Sequence, residues 1–322
     1  MGLSVVAIVF AAFVLSAAPQ SARSVTVAFI GDQGLKKSSR AVLRMIKEQG
    51  ADMVLHQGDF DYRHKPGKWD AMISEILGKD FPYFASIGNH DVKAWFGPDG
   101  YQAKLRARLA RIDGAECHGD LGVRAACTYR GLFFILSGIG TLPRNVRDEP
   151  GHVAFIKDEL AKSKATWRIC TWHKNQRAMQ VGGKSSDVGW QAYEACREAG
   201  AIVATGHEHS YSRTHLMDSF ERRSVASKSN TLVLEKGMSF VFVSGLGGVG
   251  IRDQERDGDW WAAIYTEDQN ARHGALFCIF NVDGDPVRAK CHFRDIDGNV
   301  PDRFEIINAV KHPPQVGAHK DE

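Results

Sequence analysis

Charge of one sign, cysteines at zinc-ribbon spacing and long apolar runs are all scarce in this chain. Across 322 residues, 41 Lys and Arg face 38 Asp and Glu for a formal net charge of +3. Near balance of this kind indicates no dominant electrostatic hold on nucleic acid or anionic lipid. Proline is sparse, at 10 residues against 32 glycines, and 43% of the chain is hydrophobic and 25% charged. That is an ordinary globular mixture, which excludes disorder, a collagen-like repeat and a coiled coil. Internal repeats, low-complexity tracts and Asn-x-Ser/Thr sequons are missing. At about 150 residues per domain the length allows two domains, yet layered α/β folds of this size also occur as one unit.

The one sustained apolar run lies at the start, from Leu3 to Ala18. It is shorter than the roughly 20 residues a spanning helix needs. Small residues at Ser16 and Ala18 suit cleavage after Ala18, so residues 1–24 read as a signal peptide, although no Lys or Arg precedes the run. A buried N-terminal helix or an uncleaved anchor is the alternative. Six cysteines fall as Cys117 and Cys127, Cys170 and Cys196, Cys278 and Cys291, each two close in sequence and none in a CxxC motif. Cys278 and Cys291 flank the turn Asp283-Gly284-Asp285-Pro286, so pairing across a hairpin is feasible. An even count of this kind fits a secreted, periplasmic or otherwise exported protein; six reduced thiols in a cytosolic one is the alternative.

Hydrophobic patterning alternates strand and helix over the first two thirds. Residues 25–30 read as a buried strand ended by Gly31, and a helix follows whose apolar face is Val42, Leu43, Met45 and Ile46, with Gly50 as its stop. Strands at 52–56 and 82–87 end at Gly58 and Gly88, with a helix from Trp69 to Leu77 between them. A βαβαβ order implies parallel strands that all finish on one edge of a sheet, the edge at which open α/β sheets bind ligands. Helices at 151–162 and 188–199 then lead to strands at 167–172 and 201–205. Past residue 230 the pattern is strand after strand, at 231–235, 239–244, 275–282, 287–294 and 303–308, while Ser219–Asn230 reads as an exposed polar loop.

The residues just past the strand ends carry the chemistry. They are Gly31-Asp32-Gln33-Gly34, Gly58-Asp59-Phe60-Asp61-Tyr62, Gly88-Asn89-His90-Asp91, His173, and Gly206-His207-Glu208-His209. Oxygen donors with imidazole nitrogens form a hard-to-borderline ligand set, suited to iron, zinc or manganese. One Gly-Asp turn is only a turn; five such turns in succession on one edge point to a metal site.

In this order the motifs resemble the calcineurin-like metallophosphoesterase superfamily, and within it the purple acid phosphatases. The resemblance spans about residues 31–209 in the forms GDxG, GDxxY, GNHD, a lone His after a strand, and GHxH. Most of the superfamily carries Asp-x-His at the first motif, where Gly34 stands here; Tyr62 supplies the replacement in the purple acid phosphatase pattern. The fold so implied is a mixed α/β (α+β) four-layer αββα sandwich of two mixed sheets flanked by helices, with a dinuclear metal site at the strand C-terminal ends. One catalytic domain would cover residues 25–310, followed by a polar tail at 311–322.

Residue by residue, the resemblance implies that Asp32, Tyr62 and His209 hold the first metal, that Asn89, His173 and His207 hold the second, and that Asp59 bridges them. A phenolate stabilises a trivalent ion, so the first metal would be Fe(III) and the second a divalent zinc, iron or manganese; Tyr62 as a wall aromatic beside two divalent ions is the alternative. Two cations roughly 3.5 to 4 Å apart hold a phosphate ester, acidify a metal-bound water and aim the hydroxide in line with the leaving group. A trivalent ion extends this into acid, so the implied activity is a phosphoric monoester hydrolase, an acid phosphatase. His90 would donate to the phosphoryl or leaving-group oxygen, with Asp91 orienting its ring. Asn175 and Arg213 are weaker candidates for substrate phosphate contacts. His64, His118, His152 and His215 read as surface or packing residues, and Glu208 as pointing away from the metals.

Gly245-Leu246-Gly247-Gly248-Val249-Gly250 matches the dinucleotide fingerprint GxGxxG, but the polar residues 251–259 offer no apolar helical face, so a turn beside the metal pocket is expected instead. The partner implied is a small phosphate ester or a phosphoprotein, with no nucleic acid and no membrane beyond the N-terminal segment. Two other readings stand beside the first: a phosphodiesterase or nucleotidase using two divalent metals, and a non-catalytic phosphate or metal binder.

Overall fold

Residues 22–142 and 148–310 are described by a computed structural model. The expected cleavage point after Ala18 and the polar tail at 311–322 lie outside the described residues. The chain runs β1 (Val25–Ile30), α1 (Lys37–Glu48), β2 (Met53–His56), α2 (Pro66–Ile76), β3 (Tyr83–Ala85) and α3 (Tyr101–Leu109). Next come β4 (Glu116–Asp120), β5 (Arg124–Tyr129), β6 (Leu132–Ser137), α4 (Glu149–Lys162), β7 (Trp167–Trp172), α5 (Trp190–Glu198) and β8 (Ile202–Thr205). The remainder is strand: β9 (Tyr211–Thr214), β10 (Leu216–Ser219), β11 (Ser224–Ser227), β12 (Thr231–Leu234), β13 (Val241–Ser244), β14 (Trp261–Tyr265), β15 (Gly274–Phe280), β16 (Arg288–Asp295) and β17 (Asp302–Asn308).

These strands form two large mixed sheets. One has seven strands in the order β12-β17-β16-β15-β1-β2-β3, and the other has eight in the order β14-β9-β13-β8-β7-β6-β5-β4. The predicted parallel run β1–β2–β3 is present, and β6–β7–β8–β13 is a second one. Parallel order brings the ends of β1, β2 and β3, and of β7, β8 and β13, to common edges.

The layering follows from which faces are apolar. Val42, Leu43, Met45 and Ile46 of α1 are buried, as its periodicity predicts, and the stripe packs with α2 on the first sheet. Helices α4 and α5 cover the outer face of the second sheet through a separate cluster that includes Ile156, Leu160, Tyr193 and Val203. Between the sheets, aromatic pairs interdigitate: Phe29 with Phe242 at 5.1 Å, Phe84 with Phe134 at 4.7 Å, Trp167 with Phe280 at 5.0 Å and Tyr211 with Phe293 at 4.3 Å between ring centroids. Each side chain so buried contributes about 1.5–3 kcal/mol. Helix, sheet, sheet and helix are thus stacked in four layers. Where no helix covers β16 and β17, burial alternates residue by residue, as a half-covered sheet requires.

Two expectations need correction. The stretch Ser219–Asn230 is not all loop, because Ser224–Ser227 pairs with β10 as a short hairpin. Its four polar and small residues have no alternating apolar signal. The antiparallel strands β4 to β6 likewise carry no predicted element: β4 is exposed throughout and reads as polar coil, whereas β6 is an apolar, fully buried run absent from the predicted strands.

All three cysteine pairs are bonded. Cys117–Cys127 and Cys278–Cys291 join directly opposed strand residues, and Cys170–Cys196 ties β7 to α5. Three disulfides fit an exported protein. Among the described residues, no helix is long and apolar enough to cross a membrane.

Candidate metal centre

At the strand ends the two sheets are joined by backbone. The Gly31 amide donates to the Ser244 carbonyl at 2.7 Å, and the amides of Asp32, Gln33 and Gly34 donate to Gly58, Asp59 and Phe60 at 3.0, 3.0 and 2.9 Å. The β1–β2 ladder therefore continues into the loops that carry Asp32 and Asp59. Four of the motif residues adopt left-handed backbone, with φ of 58° at Asp32, 63° at Asp59, 56° at Tyr62 and 68° at His207. Such residues cost on the order of 1–3 kcal/mol each and persist only where their surroundings enforce them. Gly88 explains one of those constraints: a Cβ there would fall 2.1 Å from the Asp59 amide nitrogen and 2.2 Å from its Oδ1.

The side chains converge in two groups. In the first, the Tyr62 hydroxyl donates to Asp32 Oδ1 at 2.8 Å and lies 3.1 Å from His209 Nε2, which is 3.4 Å from the same Asp32 oxygen. In the second, His173 Nε2 is 3.1 Å from Asn89 Oδ1, 3.2 Å from His207 Nδ1 and 3.3 Å from Asp59 Oδ2. Atoms about 2.1 Å from a shared cation stand about 3.0 Å apart at a right angle and about 3.4 Å apart at the tetrahedral angle. Both groups have that spacing, and Asp59, His173 and His207 are all buried.

Hydrogen bonds on the far side of the rings decide which nitrogens face inward. His173 Nδ1 donates to the Gln57 carbonyl and His209 Nδ1 to the Gly250 carbonyl, both at 2.7 Å. Each therefore aims its Nε2 at oxygen acceptors, a place that either a proton or a cation has to fill. The electrostatics agree. Burial opposes ionisation of Asp32 and Asp59, yet His209 and His173 respectively outweigh it and hold both carboxyls below the usual range. Against burial, the Asp59 carboxylate pushes His173 up to about 9. His207 is held far down by burial and by the facing His173. Burial, with Asp32 and Asp59, pushes the Tyr62 phenol well above its ordinary value, so a phenolate here requires a cation beside it.

His90 stands at the open rim. Its ring lies 4.5 Å from that of Tyr62, its Nε2 is 4.0 Å from Asp59 Oδ2, and its amide donates to Asp59 Oδ1 at 2.9 Å. Asp91 does not orient that ring: its buried carboxylate accepts the backbone amides of Asp59, Phe60 and Gly88, each at 2.8 Å, and so clamps two ligand loops together. Asn175 is buried, donating to the Gly206 carbonyl at 2.6 Å and accepting from the Tyr193 hydroxyl at 3.3 Å. The larger correction concerns Arg213. It lies on β9 facing the other sheet, where Asp302 takes two of its hydrogen bonds at 2.7 and 2.9 Å and the Phe304 ring covers it at 4.2 Å. Its parity with Tyr211 turns it into the inter-sheet core and away from any substrate.

The Gly-rich turn does border the site, through the Gly250 carbonyl and through Gly245 beside Asp32. Glu208 is fully buried against Gly182, 3.8 Å from Arg252. Sequence reasoning missed Asp187, whose Oδ2 is 4.0 Å from His207 Nε2, and the cations Lys184 and Arg252. Burial, and then the Arg252 charge, hold the Lys184 ammonium below its ordinary value. These three lie in irregular loops with no motif of their own, so only their position between strand ends could have pointed to them.

Comparison with known proteins agrees with this geometry. Residues 25–211 match the calcineurin-like phosphoesterase family. No curated protein matches the sequence. Among solved structures, the chain is similar to the purple acid phosphatase PPD1 of yellow lupin (Lupinus luteus) seeds, with 18% identity and a TM-score of 0.65 over 89% of this chain and 54% of that one. It is similar to PhoD at 15% identity and a TM-score of 0.53, covering 84% and 66%. GAP50, the anchor in the inner membrane complex of Plasmodium, aligns at 11% identity and a TM-score of 0.55 over 91% and 98%. The chain spans about half the length of the lupin phosphatase. Identities this low speak for the fold alone.

Proposed function

Since the chain belongs to the calcineurin-like phosphoesterase family, we propose that it is a metal-dependent phosphoric monoester hydrolase of the acid phosphatase type. In this reading Asp32, Tyr62 and His209 would hold Fe(III), Asn89, His173 and His207 would hold a divalent zinc, iron or manganese, and Asp59 would serve both. When bound, the cations supply Lewis acidity to the phosphate oxygens and to water. The chain's own groups do the rest. Gln57 and Gly250 fix the tautomers of His173 and His209, and Asp91 fixes the Asp59 and Asn89 loops. His90, half-exposed on the rim, is the proton donor to the leaving oxygen, and Lys184 with Arg252 draws the anionic ester inward.

The observation that carries this reading is the Tyr62 hydroxyl between Asp32 and His209, at 2.8 and 3.1 Å. A buried phenol crowded by carboxylates favours a strongly charged ion opposite it. Metal analysis and a visible spectrum of the purified protein test the point, together with hydrolysis of p-nitrophenyl phosphate and its bis-ester in acid and neutral buffer. Iron, a tyrosinate-to-iron band lost in Tyr62→Phe, and monoester turnover in acid are expected. Two divalent ions with bis-ester turnover at neutral pH would instead support the phosphodiesterase or nucleotidase reading. Bound metal without turnover would leave a non-catalytic binder.

A further inference from the structure

Among the described residues three arginines are buried, and two of them are neutralised. Arg213 faces Asp302, and Arg108 reaches Asp70 at 2.6 Å and the carbonyls of Gly78 and Lys79. The third, Arg168, is 5% exposed and has no carboxylate within ion-pair distance among the described residues. Its Nη2 donates to the Ala199 carbonyl at 2.6 Å, while its buried Nε finds no acceptor. A guanidinium cannot shed its charge in compensation, so burial without a counter-ion is costly.

Arg168 lines a cavity of about 560 Å³ between the C-terminal ends of α4 and α5. The other charged groups around it are Lys157, Lys162, Lys164 and Lys236, with Glu198 as the one carboxylate. Lys162 is paired with Glu159 at 2.9 Å; no ion pair engages Lys157, Lys164 or Lys236 among the described residues. With Glu198, the Glu159 partner of Lys162 and about one charge from the two helix ends set against the five cations, about two positive charges remain uncompensated. Arg168 is the second residue of β7 and His173 follows its last, so the cavity opens about 16 Å from the metal ligands, at about 3.3 Å per strand residue. A near-neutral chain that gathers five cations around one concavity, over a buried unpaired arginine, has built a place for an anion.

We propose that this cavity binds a small phosphate-bearing polyanion, with Arg168 as its floor and Lys164 and Lys236 closing over it. The planar guanidinium suits a tetrahedral oxyanion, and the flexible ammonium groups suit a second phosphoryl group above it. The proposal does not draw on the activity assigned to the metal centre.

Lysine acetylation of the intact metal-loaded protein, read residue by residue by mass spectrometry, locates the binding. The probe is methylenediphosphonate, which phosphatases do not hydrolyse. Bound probe slows labelling by the factor 1 + [L]/Kd, about tenfold at ten times Kd. Lys164 and Lys236 should be protected, with Lys47 and Lys290 on other surfaces unaffected, and Arg168→Gln should abolish the protection. Equal protection by chloride at matched ionic strength, no protection, or protection that survives Arg168→Gln overturns the proposal. Should Arg168→Gln fail to fold, the exposed pair Lys164→Glu/Lys236→Glu serves instead: protection of Lys157 and Lys162 must vanish in it, and its persistence is equally fatal.

Discussion

Replacing Asp302 by alanine tests the inter-sheet arginine cluster most directly. Asp302 accepts from Arg213 Nε and Nη2 and from the Tyr211 hydroxyl, the last at 2.6 Å, and the paired side chains are 1% and 6% exposed. The alanine variant leaves a guanidinium buried between β9 and β17 with no carboxylate, facing neutral groups: the Thr214 carbonyl, the Asn230 side chain, the Tyr211 hydroxyl and the Phe304 face. Breaking a buried pair on one side costs about 3–5 kcal/mol, because the surviving charge keeps its desolvation penalty. For a domain of this size that lowers Tm by about 5–8 °C. Removing both charges in Arg213→Met/Asp302→Leu should recover most of the loss, since a well-packed apolar pair avoids that penalty. Thermal unfolding of the single and double variants, with KM for a phosphate monoester measured alongside, is the assay. A loss below about 1 kcal/mol would refute the burial argument. A raised KM in the stable double variant would refute the placement of Arg213 away from substrate.

Other outcomes follow from single contacts. Gly88→Ala forces a Cβ against the Asp59 amide, and should cost about 1–3 kcal/mol in urea unfolding and lower metal affinity by about 10–100-fold in competition titrations. Removing the Cys170–Cys196 link as a paired alanine variant, a sequence separation of 26, should destabilise by about 3.5 kcal/mol from loop closure alone, with little effect on metal content. His152 is buried against Ser137, and burial, followed by the Arg124 charge, lowers its pKa to about 4. The unfolded chain therefore binds the proton first on acidification, so this residue's contribution is intact above about 6.5 and lost as pH falls toward 4. His152→Gln should flatten that part of the urea-midpoint profile between pH 7 and 4; an unchanged slope would assign it to other groups.

Much of this molecule was legible before any coordinates. Short β-branched runs closed by Gly31, Gly58, Gly88 and Gly206 marked the parallel strands, because a strand buried on both faces has to be apolar throughout and has to turn sharply at its end. The side chains beyond those glycines followed from the same logic. Strand ends on one edge deliver their next residues to one place, so Asp32, Asp59, Asn89, His173, His207 and His209 could be grouped from order alone. Amphipathic α1 was equally plain, since a helix on a sheet needs only one apolar stripe.

What the order of residues could not settle was anything that depends on parity, on exposed pairing or on backbone partners. Arg213 sits one short strand past the GHEH turn and reads like a site residue, yet strand alternation sends it to Asp302 on a strand 89 positions away. Asp91 adjoins His90 in sequence and acts instead on the amides of Asp59, Phe60 and Gly88, a role visible only when two loops meet. The carbonyls of Gln57 and Gly250 orient two imidazoles, and no side chain announces them. Arg168 lies inside an apolar strand motif, and nothing in its neighbours predicts a positive cavity between two helix ends. Local patterning determined which elements form and which chemistry lies at their ends, because burial and turns are local demands. Tertiary packing decided which buried charges are paired, since Arg108–Asp70 and Arg213–Asp302 join segments distant in the chain.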